Sequence, residues 1–214
     1  MDVPRPLIAV LDYGIGNLRS AQKALQHVGA DARLTADAGL VRDADGVVLP
    51  GVGAFGACMD ALRTANLETV VHDAVASGRP FLGICVGMQM LFDGSEENAN
   101  AKGLGVIAGT IRWIPPGVKR PQMQWNRLDI VRPDPLLVGL DEPDRDAWFY
   151  FVHSLHGVPD DATVVAATCE YGATLNAAFR RGNVFATQFH PEKSATDGLR
   201  LLANYARCCA GARR

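Results

Sequence analysis

The stretch PFLGICVGMQML, Pro80 to Leu91, sets a short apolar run against a single cysteine held between two glycines, and then turns apolar again. Pro80–Ile84 carries no polar residue, as a strand buried on both faces should read, and such strands belong to parallel sheets covered by helices. A helix opens at Val86. The pattern Gly83-Ile84-Cys85-Val86-Gly87 at that junction has the form of a nucleophile elbow. A turn so tight tolerates no side chain two positions to either side, hence the flanking glycines. It exposes the nucleophile at the carboxyl edge of the sheet, where open α/β folds keep their sites. The helix start aims free N–H groups and its positive dipole end at the sulfur, which favours thiolate, the reactive form. The competing reading is packing: Cys85 as a small core residue between close-packed glycines.

Outward from this stretch, the first half alternates strand and helix. Pro6–Gly14 is a continuous apolar run, followed by an amphipathic helix with Leu18, Ala21, Leu25 and Val28 at helical spacing and a Gly29 stop. Short strands follow at Ala32–Thr35 and Gly46–Gly51, then helices near Ala54–Thr64 and Leu67–Ala76. Strands separated by helices imply right-handed crossovers and a parallel sheet covered on both sides. The second half changes character. LGVIAGTIRWI, NRLDIV, AWFYFVHS, TVVAATCEYG, ATLNAAFRRG and NVFATQFHP are strand-like, and TDGLRLLANYARCCAG is an amphipathic helix. The fold class is therefore α/β, a parallel sheet flanked by helices and extended by antiparallel strands.

Composition narrows the function. The 214 residues are 48% hydrophobic and 21% charged, as expected of a single domain spanning 1–214 with one continuous core. A net charge of −2 gives no electrostatic case for nucleic acid or an anionic membrane. No apolar run approaches the roughly 20 residues of a spanning helix, and the first residues lack the features of a secretory leader. The five cysteines have neither disulfide-framework nor zinc-site spacing, so no metal is called for and the cytoplasm is the expected compartment.

A nucleophile at Cys85 needs a base. His27 and His72 sit within amphipathic helices, and His156 falls in the apparent turn LHGVPDD. His153 and His190 both end strands. Glu192 lies two residues past His190, and i and i+2 in an extended segment point the same way. Glu192 is thus placed to hold the His190 imidazole in the tautomer that accepts a proton from sulfur, the Cys-His-acid logic of a triad. LPGVGAFG, Leu49 to Gly56, follows a buried strand and offers backbone N–H groups which, with that of Val86, would make an oxyanion hole. It lacks the Lys-Ser/Thr of a phosphate loop, and DYGIGNLRS lacks the third glycine of a dinucleotide fingerprint. The pair Glu96-Glu97 reads as a solvated loop.

Taken together, PGVGAFG, GICVGMQ and ATQFHPEKS resemble the class I (triad) glutamine amidotransferases, which have a flavodoxin-like parallel sheet. DYGIGNLRS and YFVHS resemble the members that serve as glutaminase subunits of imidazole glycerol phosphate synthase in histidine biosynthesis, and the similarity runs from Asp12 to Ser194. The resemblance implies that Cys85 attacks the side-chain amide of glutamine, that His190 relays a proton to the leaving ammonia, and that Glu192 orients His190. It implies an oxyanion site at Gly51, Val52 and Val86, and glutamine contacts at Gly53, Gln89, His153 and Ser154. It also implies a partner, a cyclase subunit with a (β/α)₈ barrel that consumes the ammonia, and no cofactor. Tyr150, Lys193, Trp125 and Asn126 match interface positions. One segment departs: KRPQMQWN has Gln122 and Gln124 where the family commonly has His and Gly, which puts the interface contacts in doubt and leaves the triad intact. Two other readings share some of these features: a cysteine hydrolase of another specificity, and a silent structural subunit.

Overall fold

The computed structural model describes residues 5–142 and 145–212. In the amino half, β1 (Leu7–Leu11), α1 (Leu18–His27), β2 (Asp31–Thr35), α2 (Ala38–Asp43), β3 (Gly46–Gly51), α3 (Phe55–Thr64), α4 (Glu68–Ala76), β4 (Phe81–Cys85) and α5 (Val86–Met90) follow the expected alternation. Only α2 went unread in the sequence. It is short and is started by Asp37, whose side chain accepts from Leu40 N at 2.7 Å. The carboxyl half holds β5 (Phe92–Ser95), β6 (Asn98–Lys102), β7 (Ile107–Trp113), β8 (Gln122–Arg127), β9 (Asp129–Ile130), β10 (Trp148–His153), β11 (Leu155–Pro159), β12 (Val165–Glu170), β13 (Thr174–Arg181), β14 (Val184–Thr187) and α6 (Ala195–Gly211).

The main sheet has eight strands in the order β2-β1-β3-β4-β14-β13-β12-β9. The β2-β1-β3-β4-β14 block is parallel, and β13, β12 and β9 extend it antiparallel. Every residue of β3, β4 and β14 is buried, which is why these stretches read as unbroken apolar runs. Helix α6 is fastened to the sheet by Tyr205, whose hydroxyl reaches the carbonyls of Val47 (2.8 Å) and Pro80 (3.0 Å).

Beside the main sheet lie a β10-β8 ribbon and a β11-β7-β5-β6 sheet. These small sheets correct several sequence expectations. His156 lies within β11, paired to Arg112 of β7, and not in a turn. NRLDIV is divided between the end of β8 and the two-residue β9. Glu96 and Glu97 form the turn between β5 and β6, and both accept backbone bonds: Trp113 N gives to Glu96 (3.0 Å) and Phe55 N to Glu97 (2.7 Å). They lie in a solvent-exposed turn, as expected, and their carboxylates also tie that turn to β7 and α3. Neither FDGS nor NANAK has the apolar alternation that marks a strand, so their pairing rests on tertiary contacts. Among the described residues, no helix is long and apolar enough to cross a membrane.

Candidate active site

The site begins with backbone geometry at the end of β4. Cys85 has φ 55° and ψ −115°, a conformation that costs a non-glycine residue about 1–3 kcal/mol. Both flanking glycines are required by close approach. A Cβ on Gly87 would lie 1.9 Å from the Leu49 carbonyl oxygen, and one on Gly83 2.9 Å from a Leu91 methyl. The elbow expected from the sequence is therefore present, although α5 beyond it has only five residues and contributes little dipole. β3 and β4 run in register with Gly51 beside Cys85, which brings the Gly51–Val52 backbone against the elbow. Gly51 is itself tightly held: a Cβ there would lie 2.6 Å from Gly87 N and 2.9 Å from the Tyr13 hydroxyl. That hydroxyl, on a buried ring, donates to Pro50 O at 2.6 Å.

The next strand across, β14, supplies the remaining groups. After Thr187 the chain leaves the sheet, and Gln188 and His190 are both buried. Gln188 Nε2 sits 3.8 Å from Cys85 Sγ, and Gln89 Nε2 donates to Gln188 Oε1 at 3.1 Å. His190 Nδ1 lies 2.8 Å from Glu192 Oε1, with both side chains almost inaccessible to solvent. The expected contact thus forms, by a different route. Residues Pro191–Lys193 make a 3-10 turn, not an extended segment, and the turn folds the carboxylate back onto the ring. The backbone is fixed by His190 N donating to Tyr150 O (3.0 Å), while Ser194 Oγ donates to His190 O (2.6 Å) and accepts from Tyr150 N (2.9 Å).

Burial acts to lower the His190 pKa, but the Cys85 sulfur and the Glu192 carboxylate outweigh it and push the imidazole up to about 10. His190 Nε2 and Glu192 Oε2 are buried without a hydrogen-bond partner among the described residues. The Cys85 sulfur is the strongest of the groups that raise this imidazole, so it stands beside the ring.

These groups meet in a cavity of about 260 Å³. Val52 and Gly53 line it from the loop after β3; Cys85, Val86 and Gln89 from the elbow; His153 and Ser154 from the end of β10; and His190 from the turn after β14. Glu192 stands behind His190. Of the expected partner-facing residues, Trp125 and Tyr150 pair across the β8-β10 ribbon with ring centroids 6.3 Å apart, and Lys193 is exposed on the 3-10 turn. Asn126 points to the ribbon's other face, where its amide donates to Glu170 O at 2.9 Å. Of the two departures, Gln122 is fully buried behind the cavity and Gln124 is exposed.

The sequence reading missed Gln188, Tyr13 and Glu97. Glu97 both caps α3 and lines the cavity. Its only signal was an acidic residue after an unrecognised strand. A larger cavity, about 590 Å³, lies at the opposite, amino edge of β4 and β14. Its Arg180 and Asp134 pair with each other at 2.6 Å, and Arg132 beside them donates to the Arg180 carbonyl.

The relationships of the chain agree with this geometry. Residues 9–207 match the family Glutamine amidotransferase class-I. The imidazole glycerol phosphate synthase subunit HisH of Syntrophotalea carbinolica is 50% identical over 206 residues, covering 93% of this chain and 98% of that protein. The HisH subunit of Synechococcus elongatus is 49% identical over 204 residues, covering 94% and 92%. Among solved structures, PurLQS from Thermotoga maritima superposes with a TM-score of 0.77 at 20% identity, over 95% of this chain and 99% of that one. A crystal structure described as a glutamine amidotransferase superposes with a TM-score of 0.74 at 22% identity, over 94% and 98%; at such identities the likeness speaks for the fold alone. By sequence and by architecture, the chain belongs to the class-I glutamine amidotransferase family and, within it, groups with the HisH subunits of imidazole glycerol phosphate synthase.

Proposed function

We propose that the chain, folding as a single glutaminase unit, is the glutamine-hydrolysing subunit of imidazole glycerol phosphate synthase in histidine biosynthesis, with Cys85, His190 and Glu192 as its triad. The observation that carries the site assignment is the 2.8 Å His190–Glu192 contact beside a cysteine on a strained elbow in the same cavity. Glutamine enters with its side-chain amide at Cys85. The thiolate forms a bond from Sγ to the amide carbon, and the resulting oxyanion is met by backbone N–H groups of Val86 and of the Gly51–Val52 segment. His190, protonated and held by Glu192, gives its proton to the amide nitrogen as the C–N bond breaks and ammonia leaves. His190 then activates water, which attacks the γ-glutamyl thioester and releases glutamate and the thiolate. Contacts between such groups commonly tighten once substrate is bound.

The cavity volume suits one amino acid better than a polypeptide, which favours glutamine over a peptidase substrate. Gln89, Gly53, His153 and Ser154 serve as glutamine contacts, and the Glu97 carboxylate is the acidic group at hand for the substrate ammonium. The ammonia passes to a cyclase subunit, a (β/α)₈ barrel docked on the face carrying Trp125, Tyr150 and Lys193. A reducing compartment such as the cytoplasm keeps Cys85 available as a thiol.

The test is glutamate release with and without the cyclase, together with labelling by a glutamine-like electrophile. Stoichiometric labelling confined to Cys85, and loss of glutamine-dependent synthesis in Cys85→Ala with ammonium-dependent synthesis retained, are expected. Labelling elsewhere, or glutamine turnover that survives Cys85→Ala, refutes the assignment.

A further inference from the structure

The buried amide of Gln122 lies against His153 at the edge of the cavity. Its Oε1 position lies 2.8 Å from His153 Nε2, while its Nε2 is buried with no hydrogen-bond partner among the described residues. The other ring nitrogen, His153 Nδ1, lies 2.7 Å from Leu155 O. A carbonyl oxygen only accepts, so Nδ1 carries the proton, and in a neutral ring Nε2 is then an acceptor. An acceptor facing an amide oxygen is repulsive. Turning the amide end for end leaves its outline unchanged, puts Nε2–H against the imidazole, and gives the orphaned nitrogen its partner. The oxygen then faces the side of Cys169, a buried β12 thiol within reach of the same amide.

A protonated His153 is the alternative, and its surroundings oppose it. The ring is buried, and both His156 of β11 and His190 of the turn after β14 act on it as like charges. Gln122 from β8 faces it, with the Cys169 thiol behind that amide, the Phe151 ring packs on it at 5.7 Å between centroids, and the Glu97 carboxylate shares its cavity without contributing to the shift of its pKa. Burial first, and then these histidines, bring its pKa down to about 4 against the pull of the Leu155 carbonyl.

We infer that Gln122 is a positioning residue of the glutamine site: its amide donates to Nε2 of the neutral His153 imidazole, fixes the ring's orientation, and so sets the Ser154 corner of the cavity. The inference rests on the glutaminase reading above. His153, Ser154 and Leu155 all line the cavity, and the His153–Leu155 bond spans Ser154 as the chain passes from the β10-β8 ribbon to the β11-β7 pairing. Ser154 O is fixed in turn by Ile114 N at 2.9 Å. A cation at His153 would place a second positive charge beside His190, opposing the protonated state which that imidazole needs to release ammonia.

The test pairs nitrogen NMR of the histidines in the full chain with steady-state glutaminase kinetics of its complex with the cyclase. In the unsubstituted chain, His153 should show a protonated Nδ1 and an unprotonated Nε2 at neutral pH. Gln122→Glu replaces the donor with an acceptor of the same shape, so His153 should become doubly protonated and the KM for glutamine should rise about tenfold or more. Gln122→Met keeps the volume without the donor; His153 should stay neutral, with KM up about tenfold and kcat within about threefold. A doubly protonated His153 in the unsubstituted chain, or a Gln122→Glu complex with KM within about twofold of the original, overturns the proposal. Glutamate release by the unsubstituted complex tests the glutaminase reading separately, and the NMR assignment stands or falls without it.

Discussion

At the scale of single residues, the site depends on a few backbone positions that admit no substitution. A Cβ on Gly87 would lie 1.9 Å from the Leu49 carbonyl oxygen, a backbone atom that cannot turn aside as a side chain would. Gly87→Ala should therefore destabilise the protein by about 3 kcal/mol or more, read as a lowered urea midpoint. A loss under about 1 kcal/mol would mean that β3 and the elbow are less closely packed than described. The His190–Glu192 pair makes a second prediction, in pH. Since the raised pKa of His190 draws on both Cys85 and Glu192, Cys85→Ala isolates the carboxylate's share. A group whose pKa is raised on folding adds stability that is complete below its unfolded value, about 6.5, and is lost as pH climbs through the folded value. Cys85→Ala should thus lose stability as pH rises from about 6.5 toward a folded value below the 10 reached with both partners. Cys85→Ala/Glu192→Gln should lack that decline. Denaturation midpoints collected across the window distinguish the two, and identical slopes would deny Glu192 its hold on the ring.

At the scale of elements, the histidine is positioned by a strand from a different sheet. β10 belongs to the two-stranded ribbon, yet its Tyr150 carbonyl takes the His190 N–H, and Ser194 closes a second link between Tyr150 N and His190 O. Ser194→Ala removes an acceptor and a donor together at a buried position. It should cost about 1–3 kcal/mol of stability and, by loosening His190, lower glutamine turnover about tenfold. Unchanged turnover in a destabilised variant would mean that Glu192 alone orients the ring. This dependence on elements far apart along the chain explains what the sequence could and could not tell. The elbow was legible because Gly83 and Gly87 answer to a local steric demand, and β3 and β4 because burial on both faces leaves an apolar run. The approach of Glu192 to His190 was foreseen from i, i+2 geometry, although a 3-10 turn achieves it. Gln188 and Tyr13 were invisible, since their contacts follow from how β14 and β1 register against their neighbours. Glu97 was hidden because β5 and β6 carry no periodic apolar signal, and His156 was misread because Gly157 and Pro159 resemble turn punctuation inside what is in fact β11.

At the scale of the whole molecule, the β8-β10 ribbon has two faces with opposite tasks. Phe149 and Phe151 point inward, where both pack on Phe189 just ahead of His190. Opposite pairs on the other face, Trp148 with Arg127 and Tyr150 with Trp125, turn outward, and Met123, Trp125 and Trp148 are 62%, 45% and 46% exposed. Val152, paired with Met123 on that outward face, reaches the rim of the active cavity. An apolar patch continuous with a cavity mouth is the kind of surface that docks a partner, and aromatic residues of this kind dominate binding energy. In the proposed complex, the strand that would meet the cyclase also grips the His190 backbone, so docking there would be mechanically linked to the proposed proton-relaying ring, a coupling between two sites. The isolated chain should then hydrolyse glutamine slowly, and addition of the cyclase should accelerate it. Trp125→Glu, outside the cavity, should leave the thermal midpoint within a few degrees of the original yet weaken the complex about tenfold or more by calorimetric titration. At limiting cyclase, glutamine-dependent synthesis should fall in that variant, excess cyclase should restore it, and ammonium-dependent synthesis should be unaffected throughout. If saturating cyclase fails to restore activity, Trp125 acts on the chemistry itself; if affinity is unchanged, the partner sits on another face and the link through β10 does not exist.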